Sequence, residues 1–167
     1  DHFARPGDEL ALALDEDRLH RNFMGYTVMP ASDQVGVGVT AIGDVAGAYA
    51  ANEKRLASYQ RSVAAGRLAI ERGVLRSPED ELRRAVIHRV ICSLALDFPW
   101  VERVFGIDPR SHFADALEPM AADGLVELEA DGLRVTPAGR FFLRNLCMPF
   151  DAYLTGTPAG QTYSRTV

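Results

Sequence analysis

Metal and thiol chemistry needs ligands at short, regular spacings, and the histidines and cysteines of this chain do not supply them. His2, His20, His88 and His112 are scattered, and neither H-x-x-x-H nor C-x-x-C occurs. Cys92 lies in the apolar helical run Ile91-Cys92-Ser93-Leu94, and Cys147 lies far from it in sequence. The pair reads as two buried, reduced thiols. Two thiols are too few for a four-iron cluster, which takes about four thiolate positions. Gly36-x-Gly38 is an incomplete phosphate signal, without the further glycine and the following lysine. Arg140 and Arg144 are four apart, which puts them on one helix face, where they could clamp carboxylates or pair with a local acid such as Asp151. Glu79-Asp80-Glu81 beside Arg83-Arg84 reads as a solvated helix face with pairs along it.

The elements that position these residues follow from pattern and punctuation. Asp8 caps a short helix over 8–19 with Leu10 and Leu14 on its apolar face. His20 to Met29 carries Phe23, Tyr26, Thr27 and Val28 around Gly25 and reads as extended chain. Val35 to Ile42 alternates glycine and β-branched residues and reads as a strand buried on both faces, with Gly36 and Gly38 allowing close approach. Asp44 then caps a helix from about Val45 to Ala65, with Tyr49, Asn52, Leu56, Tyr59 and Val63 near helical spacing.

The glycines between Gly66 and Ser77 mark a boundary. Ser77-Pro78-Glu79-Asp80 starts a helix running to about Leu96 that buries Leu82, Val86, Ile87, Val90, Ile91 and Leu94. After Pro99 come a short helix at 101–105 and another at 111–123, stopped by Gly124. Two alternating runs flank Ala130-Asp131-Gly132, a hairpin signal. Thr136-Pro137 opens a last helix with Phe141, Phe142, Leu143 and Leu146. The tail beyond Leu154 reads as irregular.

Composition narrows the function classes. Hydrophobic residues at 47% and charged residues at 25% of 167 place the chain among globular domains. Eighteen basic against twenty-three acidic residues leave a net charge of −5, which argues against a nucleic-acid partner. No apolar run approaches the ~18 residues of a membrane helix, and the first residues carry no signal-peptide pattern. The expectation is a cytoplasmic protein with no membrane partner. The chain opens in mid-pattern at Asp1, and we expect a fragment of a longer protein.

Three segments carry a resemblance: Arg21-Asn22-Phe23-Met24-Gly25-Tyr26-Thr27, Gly36-Val37-Gly38-Val39-Thr40-Ala41-Ile42-Gly43-Asp44, and Gly139-Arg140 with 143–154. Together they resemble the C-terminal part of the oxygen-independent coproporphyrinogen III oxidases, a family of radical S-adenosylmethionine (SAM) enzymes, from Asp1 to Arg165. The three-cysteine cluster motif of that family is not in these residues. The resemblance implies a mixed α/β, mainly helical fold. Residues 1–72 would close a radical SAM partial (β/α) barrel. Residues 73–167 would form a helical C-terminal cover domain with a small winged-helix-like β-hairpin. It implies oxidative decarboxylation of coproporphyrinogen III to protoporphyrinogen IX without oxygen, in haem biosynthesis. The cofactors implied are SAM and a 4Fe-4S cluster whose ligands lie outside this chain, leaving the fragment inactive alone.

Site residues carry over by position. Phe23 and Met24 would lie at the reactive site, and Ile42 would contact a second SAM molecule. Met24 stands where the family has glutamine, so an amide that donates and accepts is replaced by a thioether that accepts weakly and donates nothing. Phe23 and Ile42 also suit plain core packing. Two rival readings remain: a stand-alone winged-helix binding module built on 77–150, and a haem-handling relative of the oxidase.

Overall fold

A computed structural model describes residues 4–155. His2 and the tail past Thr155 lie outside the described residues, as do the ends of the resemblance, Asp1 and Arg165. The first helix, α1 (Glu9–Asp15), is capped as its sequence predicts, the Asp8 carboxylate accepting from the Leu10 amide at 3.0 Å. Strands β1 (His20–Asn22) and β2 (Gly25–Thr27) form a hairpin with Phe23 and Met24 at its tip.

The segment expected to be a helix from Val45 is a β-hairpin instead. Strand β3 (Ile42–Val45) pairs antiparallel with β4 (Ala48–Asn52), Val45 opposite Ala48 and Asp44 opposite Tyr49. The two-residue turn Ala46-Gly47 has φ of 49° and 79°, the positive pair that matches strand twist. The alanine-rich run 46–51 has good helix propensity, but that turn and pairing on both sides of β4 override it. Helix α2 (Leu56–Ala64) begins only after the hairpin, without a side-chain cap. Strand β5 (Ile70–Leu75) joins the other edge of β4, giving the order β3-β4-β5.

Val35 to Ala41 is not a doubly buried strand either. An isolated bridge, Gln34 to Asp44, lies just before it, and Val35 and Val37 are exposed. Glycine spacing produces an arch here rather than a ladder. A Cβ on Gly36 would lie 2.8 Å from the Ile42 carbonyl carbon, so only glycine lets the arch press against the strand.

From Ser77 the chain follows its punctuation closely. Helix α3 (Pro78–Ser93) starts with a capping box: Ser77 Oγ accepts from the Asp80 amide, and the Asp80 carboxylate accepts from the Ser77 amide at 2.8 Å. It ends before the expected Leu96 because Leu94 adopts the left-handed conformation, φ 55°, and turns the chain into β6 (Ala95–Asp97). Helix α4 (Phe98–Phe105) follows the Asp97 cap. The predicted helix at 111–123 is two pieces, α5 (Pro109–His112) and α6 (Ala114–Ala122), broken at Phe113.

Strands β7 (Val126–Glu129) and β8 (Gly132–Val135) make the predicted hairpin, and β6 joins it in the order β6-β8-β7. The last predicted helix opens as a 3-10 turn, Gly139–Phe142, capped by Thr136, and becomes α7 (Leu143–Cys147). Arg140 and Arg144 therefore sit on separate elements rather than one regular helix face. A final short helix, α8, spans Ala152–Thr155.

The main core lies between α3, α4, α6, α7 and the β6-β8-β7 sheet. Leu82, Val86, Val90, Leu96, Val101, Leu146 and Phe150 are buried in it. A smaller cluster joins Ala13 and Leu19 to Cys92 on the other side of α3. The β3-β4-β5 sheet contributes nothing to either cluster; every residue of β5 is exposed and every residue of β4 is half-buried.

Candidate active-site wall and its anchor

The residues singled out by the sequence lie on and beside that open sheet. Phe23 reaches from the β1–β2 tip to Tyr49 of β4, ring centroids 5.5 Å apart and planes at 81°. Ile42 begins β3 and points to the same face as Asp44, whose register partner is Tyr49. Phe23 and Ile42 are thus brought to one sheet face, and both remain accessible, at 49% and 37%. Neither is a core residue. Met24 shares the hairpin tip, where its amide donates to Asn22 Oδ1 at 2.8 Å while its side chain is 87% exposed.

Two hydrogen-bonded side chains hold the arch behind Ile42. Asn52 Nδ2 donates to the carbonyls of Gly36 at 3.1 Å and Gly38 at 2.9 Å. The Gly38 amide donates to the Tyr59 hydroxyl at 3.1 Å. These bonds use backbone groups that no strand partner satisfies, which is why the arch keeps one shape without a ladder. Asn52 and Tyr59 were expected on one helix; they come instead from β4 and α2.

Asp44 ties this sheet to the helical part of the chain. Expected as a helix cap, it lies in β3 as a buried carboxylate, 8% exposed. Its Oδ1 accepts from Arg76, in the link between β5 and α3, and its Oδ2 accepts from Arg84 Nη2 of α3 at 2.9 Å. Arg84 Nε also donates to the Tyr49 hydroxyl at 2.8 Å. The Arg76 guanidinium stacks over the Tyr49 ring at 4.6 Å and donates to Glu81 Oε1 at 2.6 Å. Burial alone would pull the Arg76 pKa down. Its hydrogen bonds to Glu81 and Asp44, and their charges, outweigh that and hold it above the ordinary arginine value.

The charged stretch 79–84 therefore divides its work. Glu79 and Arg83 pair along the helix at 2.6 Å, as expected of a solvated face. Arg84 reaches across to Tyr49 and Asp44 of the sheet, and Glu81 holds Arg76 in the link before α3. The two classes look alike in sequence, and only the placement of Asp44 and Arg76 separates them.

The remaining candidates settle elsewhere. His20 and His88 meet with ring centroids 5.6 Å apart, and His88 Nε2 lies 3.7 Å from Cys92 Sγ. Among the described residues no group of three His, Cys, Asp or Glu side chains is arranged to hold a metal ion. Burial pushes the Cys92 thiol up to about 11 and the Cys147 thiol up to about 12, so both stay protonated. No helix among the described residues is long and apolar enough to cross a membrane.

Residues 77–142 match the model of the HemN C-terminal domain. The whole chain is 45% identical over 170 residues to an oxygen-independent coproporphyrinogen III oxidase of Pseudomonas aeruginosa, and 44% identical over 171 residues to that of Thermostichus vulcanus. It spans 37% of the first relative's length and 52% of the second's. Coproporphyrinogen III oxidase (HemN) from Escherichia coli, a radical SAM enzyme, superposes on 92% of this chain, which covers 36% of that one, with a TM-score of 0.86 at 43% identity. Residues 77–142 belong to the HemN C-terminal domain family, and over its full length the chain is a relative of the oxygen-independent coproporphyrinogen III oxidases.

Proposed function

We propose that this chain walls and covers the reaction site of an oxygen-independent coproporphyrinogen III oxidase. Such an enzyme converts two propionate side chains of coproporphyrinogen III to vinyl groups, releasing carbon dioxide and yielding protoporphyrinogen IX for haem biosynthesis. The observation that carries the reading is similarity along the whole chain, 45% identity over 170 aligned residues. Residues 1–72 would close a radical SAM partial barrel, and residues 73–167 would form the cover. The β6-β8-β7 sheet with α3 to α6 supports a winged-helix arrangement for that cover. A net charge of −5 favours a cover over a DNA reader.

The residues present fit SAM. Phe23 and Ile42 offer accessible apolar surface on one face, and the Gly36–Gly38 arch brings backbone against Ile42, the cradle a flat adenine would use. Bound SAM, reduced through a cluster, supplies the hydrogen-abstracting radical. The protein's task at this wall is to orient its ligand and exclude water, which quenches such species. Met24, apolar and projecting from the hairpin tip, adds cover without a donor. The cluster does not fit here: two buried cysteines, one on α3 and one on α7, are too few to hold it, so its ligands would come from other residues of the parent.

The test is a chimaera. The matching segment of the Pseudomonas aeruginosa relative is replaced by this chain, the cluster is reconstituted, and product is assayed without oxygen. Conversion of coproporphyrinogen III to protoporphyrinogen IX is expected, with none from the isolated 167-residue chain. A folded, cluster-loaded chimaera that binds SAM but forms no product refutes the reading.

A further inference from the structure

The β3-β4-β5 sheet is open on its faces, yet it contains one buried charge. We propose that Asp44 is a positioning residue: it sets the Phe23–Ile42 wall at a defined angle to the helical part of the chain. The inference deepens the function proposed above and rests on it for its consequence, while its structural part stands alone.

Two guanidinium groups, Arg76 and Arg84, converge on this carboxylate, and Ile42 and Tyr49 lie beside it in the sheet. Ile42 lies two residues before it on the same strand and the same face. Tyr49, directly opposite in register, carries Phe23 on its ring and receives a hydrogen bond from Arg84 on its hydroxyl. Arg84 comes from α3, the central helix of the main core. Arg76 comes from the link entering α3 and stacks on the same Tyr49 ring.

Ile42 is two residues from Asp44 along the strand, Phe23 reaches its register partner Tyr49, and α3 is one hydrogen bond away. Apolar packing between sheet and helix would tolerate sliding. Guanidinium–carboxylate bonds fix direction as well as distance. A buried ion pair is poor evidence of added stability and better evidence of a fixed arrangement. The β3-β4-β5 sheet shares no apolar cluster with α3, whereas the hairpin carrying Phe23 packs on α3 through Tyr26 and Val28 beside Ile91, so this ionic junction sets where Ile42 sits relative to Phe23.

The experiment has two arms. In the 167-residue chain, hydrogen exchange is followed in D44N, D44E and R84M. D44N is expected to speed exchange about tenfold in 42–52 while amides of α3 around Val86 keep their protection; D44E, which keeps the charge, recovers most of it. R84M, altering a half-exposed partner, shows the same pattern more weakly and serves if D44N fails to fold.

In the chimaera, the readout is 5′-deoxyadenosine formed per vinyl group formed. A displaced wall lets SAM cleavage run without productive capture, so D44N raises that ratio about fivefold or more and D44E brings it back. A merely structural role would lower both amounts together and leave the ratio unchanged, which overturns the proposal. Equal acceleration of exchange at Val86 and Tyr49 overturns it as well. Should the wild-type chimaera form no product, the function proposed above fails, and the exchange arm still decides whether Asp44 sets the wall.

Discussion

Phe23 stands edge-on against Tyr49, ring centroids 5.5 Å apart at 81°, and Tyr49 is in turn held by Arg76 over its ring and Arg84 at its hydroxyl. Phe23 is thus held through Tyr49, whose own position two arginines fix. Removing only the hydroxyl, Tyr49→Phe, keeps the edge contact and the stacked guanidinium and should cost about 1 kcal/mol, one charge-assisted bond with a half-exposed partner. Tyr49→Ala removes all three contacts and should cost about 2–3 kcal/mol. Urea unfolding of both variants checks the order; equal losses would mean that the hydroxyl alone matters.

Gly139 offers a sharper case. A Cβ there would lie 2.0 Å from the Leu125 carbonyl oxygen and 3.0 Å from a Val135 methyl. That carbonyl cannot retreat, because it accepts from both the amide and the hydroxyl of Thr136. Gly139→Ala should destabilise by about 3 kcal/mol through overpacking. Gly7→Ala, with nothing within 4 Å of its Cβ, should be near neutral. Thermal melts of the pair test it, and a stable Gly139→Ala variant would show that the β7–β8 sheet and the 3-10 turn are more loosely joined.

How much of this was legible beforehand depends on whether the signal was local. The Ser77-Pro78 start, the Thr136 cap and the turn before Gly132 are chemistry within a few residues, and each formed where expected. Ala46-Gly47 was equally local, a two-residue turn, but the helix-favouring alanines around it drew the reading the wrong way. Phe23 and Ile42 could be nominated by motif, yet Tyr49, Asn52 and Tyr59 could not. Their roles depend on which strand lies opposite which, and nothing in their spacing encodes that. Asp44 is the clearest example. A carboxylate before an alanine-rich run looks like a cap, and its true partners lie 32 and 40 residues away.

The cysteines give a chemical test. With thiol pKa values pushed up to about 11 and about 12 by burial, Cys92 and Cys147 carry almost no thiolate at neutral pH. Both should resist a disulfide reagent at about pH 7.5 in the native chain and react stoichiometrically in denaturant. Prompt native labelling of either would contradict the burial, and would reopen a ligand role for it.

His88 sets a window of pH dependence. Burial first, then the charges of His20, Arg84 and Arg89, lower its pKa below the ordinary imidazole value; Cys92 also faces it. The unfolded chain therefore takes up this proton before the folded one. Stability is full above about pH 6.5, and falls as pH drops below that value towards the folded pKa. Glu79 and Asp80, also held low, add a separate loss below about pH 4.5. Urea midpoints for wild type and His88→Gln should converge in slope above pH ~7 and diverge between ~6.5 and ~5. Parallel curves through that interval would remove His88 as the cause.

If these residues wall the SAM site, bound SAM should protect their backbone amides from exchange. The most direct measurement is hydrogen exchange of the reconstituted chimaera with and without SAM, read by peptide. Protection should appear over 22–25 and 36–43, and Phe23→Ala with Ile42→Ala should weaken SAM binding by about tenfold or more. Protection confined to segments contributed by the relative, with unchanged SAM affinity in the double variant, would contradict the account.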